Sequence, residues 1–433
     1  MSLGRIDQEG RLDMSHKYSK HRTGRTNLAF ALTFTVLAAG FALSVSLPAR
    51  PSPSSTRIST GSARLRPVQI DNLSMASAEA GFAIGQLPGS PNQGGMVLRT
   101  TDGGRVWTDI TPHLPADAQN NLNLTAGFAE SRSAALVLEG RSGTFTVFNT
   151  LDGGRMWIRS RPIHAGYYGG IVEIQFLDRL HGFLEVSDPG NSMLPGAMYA
   201  TKNGGRTWQR VSYSGATQNA TVAASDAAAG KPVLGWLPFA EGFSFRTIKD
   251  GWISGGQRGG PFGGAGYVWL FRTTDGGRSW SHESLPMPRG WSRAYTTLSE
   301  PQWFGNTGYL TMTCWGLKAA ASQTFLYVTH DAGRRWTQIP FIHNAGSQAP
   351  LSVDFVTAQS GYAMFGGTLY RTKNGWRTWT PVMHNEHLRF AALQFINPSE
   401  GWLYWPGPTA AHWEQTKDGG RTWTAWNPVV RLR

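Results

Sequence analysis

An eight-residue pattern that occurs seven times constrains the fold of this chain more than any other feature. Each copy runs from Thr to Trp with an acidic or amide residue in third place, and the first copy reads TTDGGRVW. Their third residues lie 50, 51, 72, 56, 43 and 44 residues apart. Repetition at about 40 to 50 residues is typical of propeller blades. The sequence therefore predicts a repeat protein of seven units.

The recurring places of this eight-residue box are predicted to be structural. The Asp or Asn oxygen can accept hydrogen bonds from turn amides and from the Thr hydroxyl two residues earlier. The Gly pair permits positive φ, and the Trp can pack between sheets. Seven catalytic aspartates would make no sense in one active site. The residues given this structural role are Thr100, Asp102, Trp107, Thr150, Asp152, Trp157, Thr201, Asn203, Trp208, Thr273, Asp275, Trp280, Thr329, Asp331, Trp336, Thr372, Asn374, Trp379, Thr416, Asp418 and Trp423.

A second element, a Gly followed by an aromatic residue, lies upstream of six boxes. It occurs at Gly81-Phe82, Gly182-Phe183, Gly251-Trp252, Gly308-Tyr309, Gly361-Tyr362 and Gly401-Trp402. Alternating apolar residues surround both elements, as in strands joined by turns. Each unit then contains four antiparallel strands, and seven units close radially. The predicted fold class is all-β, a seven-bladed β-propeller of four-stranded antiparallel blades, preceded by one N-terminal transmembrane helix.

The box resembles the BNR or Asp-box motif, S/T-x-D-x-G-x-x-W, of sialidases, sortilin-type receptors and the photosystem II assembly/stability factor family. The match covers residues 67–433, and the seven blades and single anchor look most like the photosystem II assembly/stability factor family. That resemblance implies a non-enzymatic scaffold at a membrane. Asn203, Asn374, Ala332 and Trp376 depart from the motif. No motif in this chain fixes the positions of that family's functional Arg patch.

The N-terminal region predicts export with a membrane anchor. Residues 28–47 are uncharged and mostly apolar, about the length that spans a bilayer, and six Lys/Arg precede them. A cleaved signal peptide is the alternative, although its apolar core is usually shorter. The predicted domains are a basic cytoplasmic tail over 1–26, a transmembrane signal anchor over 27–47, a Pro- and Ser-rich linker over 48–66, and the propeller over 67–433. The propeller is then extracytoplasmic on a single-pass cell-membrane protein.

The net charge of +13 does not indicate nucleic-acid binding. Residues 1–66 contain ten Lys/Arg and three Asp/Glu, so the propeller has a surplus of only six positive charges. Seven arginines occupy one fixed box position and should be dispersed around a ring, and no Lys/Arg run alternates with aromatics as a strand-binding groove would require. The single cysteine, Cys314, excludes an internal disulfide.

No enzyme motif accounts for the chain. There is no G-x-S-x-G, H-E-x-x-H or Walker pattern, and the eleven histidines show no paired metal spacing. A sialidase would need an Arg cluster, a Tyr–Glu pair and an acidic Asp, and the string SRPIH at 160–164 lacks the expected order. We therefore expect no catalytic residue, no metal and no cofactor. The alternative is a glycan-directed protein, either a sialidase-like glycoside hydrolase or a lectin, and the hydrolase would need convergent acidic residues at the channel mouth.

The longest excursions between strands are the candidate partner-binding segments, at about 212–243, 255–266 and 286–302. Trp, Tyr and Arg dominate binding energy at interfaces, so the candidate partner-binding residues are Tyr167, Tyr168, Trp291, Arg293 and Tyr295. The expected partner is a membrane or envelope protein, with a glycan as the alternative. A tether near the bilayer would favour such a partner by raising its effective concentration.

Overall fold

The structure is a computed structural model, and the residues that it describes all lie in the unit Ala31–Arg433. They are 43–45, 65–89, 95–114, 122–130, 132–139, 143–164, 171–187, 197–212, 240–256, 268–291, 294–315, 322–342, 352–406 and 411–432.

The described residues form 33 strands. In chain order these are β1 (Leu43–Val45), β2 (Leu65–Pro67), β3 (Gln69–Met75), β4 (Gly81–Gln86), β5 (Met96–Thr100), β6 (Val106–Asp109), β7 (Leu122–Glu130), β8 (Ser133–Glu139), β9 (Thr144–Thr150), β10 (Ile158–Arg159), β11 (Ile163–His164), β12 (Ile171–Phe176), β13 (Gly182–Ser187), β14 (Ala197–Thr201), β15 (Gln209–Ser212), β16 (Ala240–Phe245), β17 (Gly251–Gly256), β18 (Val268–Thr273), β19 (Ser281–Glu283), β20 (Tyr295–Leu298), β21 (Gln302–Phe304), β22 (Thr307–Trp315), β23 (Ser322–Thr329), β24 (Thr337–Ile339), β25 (Ser352–Phe355), β26 (Gly361–Phe365), β27 (Thr368–Thr372), β28 (Thr380–His384), β29 (Ala392–Phe395), β30 (Gly401–Pro406), β31 (Ala411–Thr416), β32 (Thr424–Ala425) and β33 (Val429–Arg431). A 3-10 helix at Glu386–Phe390 follows β28.

These strands form seven sheets, which confirms the predicted seven-bladed propeller of four-stranded antiparallel blades. Blades 1, 3, 4, 6 and 7 each contain four consecutive strands, beginning with β3, β12, β16, β25 and β29. In blade 2 (β7–β11) the fourth strand is divided, because β10 and β11 both pair with β9. In blade 5 (β20–β24) the first strand is divided, because β20 and β21 both pair with β22.

Aromatic residues hold neighbouring blades together and explain the Gly-aromatic element. The aromatic residue at the start of one blade's second strand stacks on the first strand of the next blade. The Phe183 and Phe245 rings lie 3.4 Å apart, and those of Tyr362 and Phe395 lie 3.5 Å apart. The preceding Gly leaves room for the large residue that ends its own blade's first strand. A Cβ on Gly401 would lie 2.6 Å from Phe395 Cδ1.

Polar side chains on the first strands form a second set of bonds between blades. Gln175 of blade 3 accepts a hydrogen bond from Phe245 N of blade 4 at 2.8 Å and donates to its carbonyl at 3.1 Å. Gln302 of blade 5 donates to Phe355 O at 3.1 Å. Buried backbone groups require such partners, so these side chains fix the register of one blade against the next.

The ring closes at the junction of blades 7 and 1. Strand β33 pairs parallel to β6, and β2 pairs antiparallel to β33. Gln394 of blade 7 accepts a hydrogen bond from Met75 N at 3.2 Å, and Trp413 Nε1 donates to Ile70 O at 2.9 Å. Trp426 lies between the blades, with its ring 6.2 Å from that of Trp107. The closure therefore combines strand pairing with aromatic packing.

The predicted transmembrane helix falls almost wholly outside the described residues. Within 27–47 the structure describes only Leu43–Val45, which pair antiparallel with Leu122–Leu124. Among the described residues, no helix has the length and hydrophobicity to cross a bilayer.

Candidate functional site

The box forms one compact turn between the third and fourth strands of each blade. In the first copy, Thr100 Oγ1 donates to Asp102 Oδ1 at 2.8 Å and accepts from Gly104 N at 2.9 Å. The same carboxylate oxygen accepts from Val106 N at 3.0 Å. Gly103 and Gly104 both have positive φ, which Gly adopts at little steric cost. The side chains of the box thus satisfy the turn amides that face away from the sheet.

Two boxes use Asn in place of Asp with a changed direction of hydrogen bonding. In the seventh box, Thr422 Oγ1 donates to Asp418 Oδ2 at 2.6 Å. In the third box, Asn203 Nδ2 instead donates to Thr207 Oγ1 at 2.8 Å. The amide Oδ1 still accepts from Thr207 N at 3.0 Å. Asn therefore preserves the turn.

Each box is also bonded to the turn between the first and second strands of its own blade. Gly103 N donates to Glu79 O at 2.8 Å, and the same bond occurs in all seven blades at 2.8–3.0 Å. Both turns therefore lie at one end of the propeller, which we call the box end. The boxes also contact the preceding blade, as when Trp157 Nε1 donates to Ile110 O at 2.9 Å.

A cleft with a volume of about 360 Å³ opens at the box end between blades 3 and 4. Phe183, Ala200 and Val211 form its apolar floor, and Ile248 lies at its edge. Its polar lining includes His181, Lys202, Lys249, Asp275 and Arg278.

The acidic groups around the cleft are already bonded within the fold, whereas the cationic groups are exposed. Burial acts to raise the pKa of Asp275, but hydrogen bonds from Ser279 and Thr273 lower it below its usual value. Asp178 Oδ2 lies 2.8 Å from His181 Nδ1. Lys202, Lys249 and Arg278 are exposed. The cleft can therefore receive an anionic group that carries an apolar portion.

Three glutamates lie close together: Glu173 on β12, Glu185 on β13 and Glu300 between β20 and β21. Glu173 and Glu185 are cross-strand partners, and a Cβ on Gly242 would lie 2.8 Å from Glu300 Oε2 and 3.5 Å from Glu173 Oε1. Burial, followed by the charges of Glu300 and Glu185, raises the pKa of Glu173. Burial raises the pKa of Glu185 to about 7. Like charges this close favour a protonated carboxyl.

A fourth acid, Asp354, lies on the first strand of blade 6. Its Oδ2 accepts a hydrogen bond from Phe395 N of blade 7. Burial raises the pKa of this carboxyl to about 8, although the hydrogen bond from Phe395 N acts to lower it. Asp354 is therefore mostly protonated at neutral pH.

Of the five candidate partner-binding residues the structure describes Trp291 and Tyr295, and neither of them lines the cleft at the box end. Trp291 is partly buried between blades 4 and 5, where its ring packs edge-on against Phe325 at 6.0 Å. Tyr295 begins β20, and Tyr167, Tyr168 and Arg293 lie outside the described residues. Most of 212–243 and all but two residues of 255–266 lie outside them as well.

Sequence analysis missed the polar residue that precedes the aromatic at the end of several first strands. The signal was present in the strings QF at 175–176 and 394–395, QW at 302–303 and DF at 354–355. It also missed the cleft, because Lys202 and Ile248 belong to different blades and only the packing of blade 3 against blade 4 places them together.

The comparisons with known proteins agree with the propeller fold. No protein-family model matches the chain, and no curated protein sequence is similar to it. A structure of Ycf48 bound to a D1 peptide is 13% identical, with a TM-score of 0.46 and coverage of 87% of this chain and 94% of that one. Ycf48 from Cyanidioschyzon merolae is 15% identical, with a TM-score of 0.44 and coverage of 82% and 96%.

A glycoside hydrolase is also among the similar structures. The GH74 xyloglucanase from Xanthomonas campestris is 15% identical, with a TM-score of 0.48 and coverage of 86% of this chain and 55% of that one. At these identities the shared property is the fold, and the same fold hosts both binding proteins and enzymes. The sheet topology shows that the chain is a seven-bladed propeller, and the solved structures similar to it include Ycf48 and a GH74 xyloglucanase.

Proposed function

We propose that this chain is a membrane-anchored, exported propeller that acts as a non-enzymatic scaffold or assembly factor for a membrane or envelope protein complex. The N-terminal apolar segment supports the anchor, and the absence of catalytic motifs from the sequence supports the scaffold. Ycf48, which has the same fold, is known bound to a peptide, so a protein partner is a reasonable expectation for a propeller of this kind.

The observation that carries the proposal is the use of polar side chains on the first strands. Gln175, Gln302, Asp354 and Gln394 each bond to the backbone of the next blade. These side chains satisfy buried backbone groups of the neighbouring blade and so help to fix each blade against the next. A rigid ring presents its connecting loops in fixed positions, which is what a docking protein requires.

In-cell crosslinking of the tagged full-length protein in its host membranes, read by mass spectrometry, tests this proposal. We expect one dominant membrane or envelope protein, and we expect Trp291→Ala combined with Arg293→Ala to weaken its capture. Lys373→Gln, an exposed residue in the box of blade 6, is the control and should leave capture unchanged. The melting temperature of each variant separates lost binding from lost folding, because Trp291 packs on Phe325. Absence of any crosslinked protein would contradict the scaffold.

A second candidate is hydrolysis of a glycan, which the pairing of Glu173 with Glu185 favours. A glycosidase needs one protonated and one ionised carboxyl. Two neighbouring acids with raised pKa values can provide one carboxyl in each state. Incubation of the purified protein with xyloglucan, arabinan and sialosides tests this candidate. Hydrolysis that Glu185→Gln abolishes without unfolding would support the enzyme, whereas an inactive wild-type protein would exclude it for these substrates.

A further inference from the structure

The box end carries the positive charge of the propeller. Its turns and boxes contain fifteen Lys/Arg and nine Asp/Glu, and this surplus of six equals the whole surplus beyond residue 66. Blades 2 to 4 supply four of these six charges. The five box aspartates among the acids accept hydrogen bonds within their own boxes, from the Thr hydroxyl and from turn amides. The exposed charge at this end is therefore cationic.

Exposed apolar side chains lie among these cations. Of the described residues, four large hydrophobic side chains are strongly exposed, and three belong to the box end of adjacent blades. Met156 in the box of blade 2 is 74% exposed, Leu180 in the turn of blade 3 is 51% exposed, and Ile248 in the turn of blade 4 is 49% exposed. Exposed apolar residues gathered on one surface mark an interaction site.

The three apolar tips belong to one continuous surface. Arg179 Nη2 of blade 3 donates to Leu151 O in the box of blade 2 at 3.5 Å. Gly204 N in the box of blade 3 donates to Leu180 O at 2.9 Å. Ile248 shares the 360 Å³ cleft with Lys202. We call the surface formed by these tips, Arg155, Arg179, Lys202, Arg206, Lys249 and Arg278 the basic arc.

The acids beside the basic arc do not cancel its charge. Asp178 Oδ2 lies 2.8 Å from His181 Nδ1. Asp250 is paired with Arg246 at 3.1 Å and with Arg272 at 3.7 Å. All six cationic residues of the basic arc are exposed. The arc therefore combines unneutralised cations with protruding apolar side chains.

We propose that the basic arc docks on the surface of an anionic phospholipid bilayer. Lys and Arg attract the phosphate headgroups, and Met156, Leu180 and Ile248 insert at the boundary between headgroups and acyl chains. The cleft between blades 3 and 4 offers cations above an apolar floor, which suits one lipid phosphate with the start of its chains. The connections between blades that leave the opposite end then face away from the bilayer.

Site-directed spin labelling of the full-length protein tests this proposal. The protein is reconstituted into vesicles of phosphatidylcholine alone or with about one-third phosphatidylglycerol, the lipid that supplies the negative charge. Labels are placed at Leu180→Cys and Ile248→Cys, with His387→Cys at the opposite end as the matched control. Cys314 is buried, and burial raises the pKa of its thiol to about 12, so it stays unlabelled.

We expect the labels at positions 180 and 248 to gain oxygen accessibility and to lose accessibility to a water-soluble nickel chelate only in the phosphatidylglycerol vesicles. The label at position 387 stays aqueous in both. High salt and the combined variant Lys202→Gln, Lys249→Gln and Arg278→Gln should reverse the change, because screening and loss of charge both weaken the attraction. A predicted N-terminal anchor tethers the protein equally in both vesicles, so it cannot produce this difference.

Two results would overturn the proposal. Labels at 180 and 248 that remain aqueous in anionic vesicles exclude lipid docking. Labels that become protected in native membranes, but not in vesicles of the lipids extracted from them, assign the basic arc to a protein partner. The first result does not depend on whether the chain is a scaffold, because no protein partner is present in the vesicles, and the second separates a protein partner from the lipid.

Discussion

At the scale of single residues, the choice between Asp and Asn in the box determines how stability responds to acid. Side-chain and backbone hydrogen bonds from Thr422 lower the pKa of Asp418 to about 2. In an unfolded chain the pKa of Asp is about 3.9, so the folded state binds fewer protons between about pH 4 and pH 2. The stability that Asp418 contributes is present above about pH 4 and is lost as the pH falls through 2.

Asp418→Asn should therefore leave stability at pH 7 nearly unchanged and make its loss between pH 4 and pH 2 shallower. Asn203 and Asn374 already close the same turn. Urea unfolding at pH 7, 4 and 3 measures the effect. Asp418→Ala is the control and should be less stable at every pH, because the turn amides lose their acceptor. Equal acid sensitivity of Asp418→Asn and the wild type would contradict the assignment of part of the acid-induced loss of stability to protonation of Asp418.

Ala332 is a residue in an unfavourable conformation. It has a φ of 59°, whereas the other six boxes place Gly at this position. The left-handed conformation costs a non-Gly residue about 1–2 kcal/mol. Ala332→Gly should thus raise the free energy of unfolding by up to about 1 kcal/mol, since the added freedom of the unfolded chain offsets part of the gain. Gly333→Ala is the opposing control, because its Cβ would lie 2.5 Å from Trp252. A loss of stability in Ala332→Gly would show that the positive φ of Ala332 does not destabilise the fold.

Asp354 should make the protein less stable as the pH rises. Burial raises its pKa to about 8, so the folded state binds more protons than the unfolded state between about pH 4 and pH 8. The contribution of Asp354 to the free energy of unfolding is greatest below about pH 4 and declines as the pH rises to about 8. A tenfold difference in the acid dissociation constant between the folded and unfolded states corresponds to about 1.4 kcal/mol.

Asp354→Asn keeps an acceptor for Phe395 N and cannot ionise. We expect the variant to be more stable than the wild type at pH 8 by more than about 1 kcal/mol, and similar to it at pH 5. Glu185 contributes a decline of the same sign, so some pH dependence remains. Denaturant midpoints at the two pH values measure the difference. A variant that is less stable at pH 8 would show that the carboxylate is needed in its ionised form.

At the scale of elements, the Gly that lies at or next to the start of six second strands is a packing requirement. A Cβ on Gly401 would lie 2.6 Å from Phe395 Cδ1 and 2.9 Å from Gln394 O. Gly401→Ala should cost about 1–3 kcal/mol, because overpacking forces backbone or side-chain shifts. Thermal unfolding checks this cost. Ser133→Ala is the matched control in blade 2, where no aromatic follows and the buried Ser133 Oγ makes no hydrogen bond, so it should cost little.

Sequence analysis predicted the elements well because each one is specified locally. The box contains both partners of its own hydrogen bonds, so Thr100 and Asp102 predict their turn without knowledge of the ring. The four-stranded blade follows from two local markers in each repeat. The divided fourth strand of blade 2 was not predictable, because no residue pattern separates Ile158–Arg159 from Ile163–His164 as two pairing segments.

The candidate site was less predictable because its residues come from two neighbouring blades and depend on how those blades pack together. The cleft forms where Lys202 of blade 3 meets Ile248 and Lys249 of blade 4. A sequence does not give the spatial distances between residues of different repeats. Trp291 was chosen for its residue type, and the structure places its ring partly within the core of blades 4 and 5. Residue type alone does not distinguish an interface aromatic from one that packs between blades.

At the scale of the whole molecule, Trp426 is expected to control closure of the ring. It is 8% exposed and packs against Trp107, Trp402 and Trp413. A Cβ on Gly104 would lie 2.4 Å from Cζ2 of this ring, so no larger side chain fits between the first box and Trp426. Trp426→Ala should lower the free energy of unfolding by about 3–5 kcal/mol.

Calorimetry measures this loss, and Trp426→Phe is the matched control. The indole Nε1 makes no hydrogen bond in the structure, so Phe should retain most of the packing and lose far less stability. Equal losses in the two variants would contradict a packing role. An unchanged unfolding temperature in Trp426→Ala would show that strand pairing alone closes the ring.

The pairing of Val429 with Val106 joins segments about 320 residues apart along the chain. Contacts between segments so far apart form late in folding, because closing a long loop costs conformational entropy before the contact adds any stability. During synthesis, the blade that is made first keeps an unpaired outer edge until the opposite end of the polypeptide arrives. Such an edge can pair with another chain, so the closing strand also covers an edge that would otherwise be open to association.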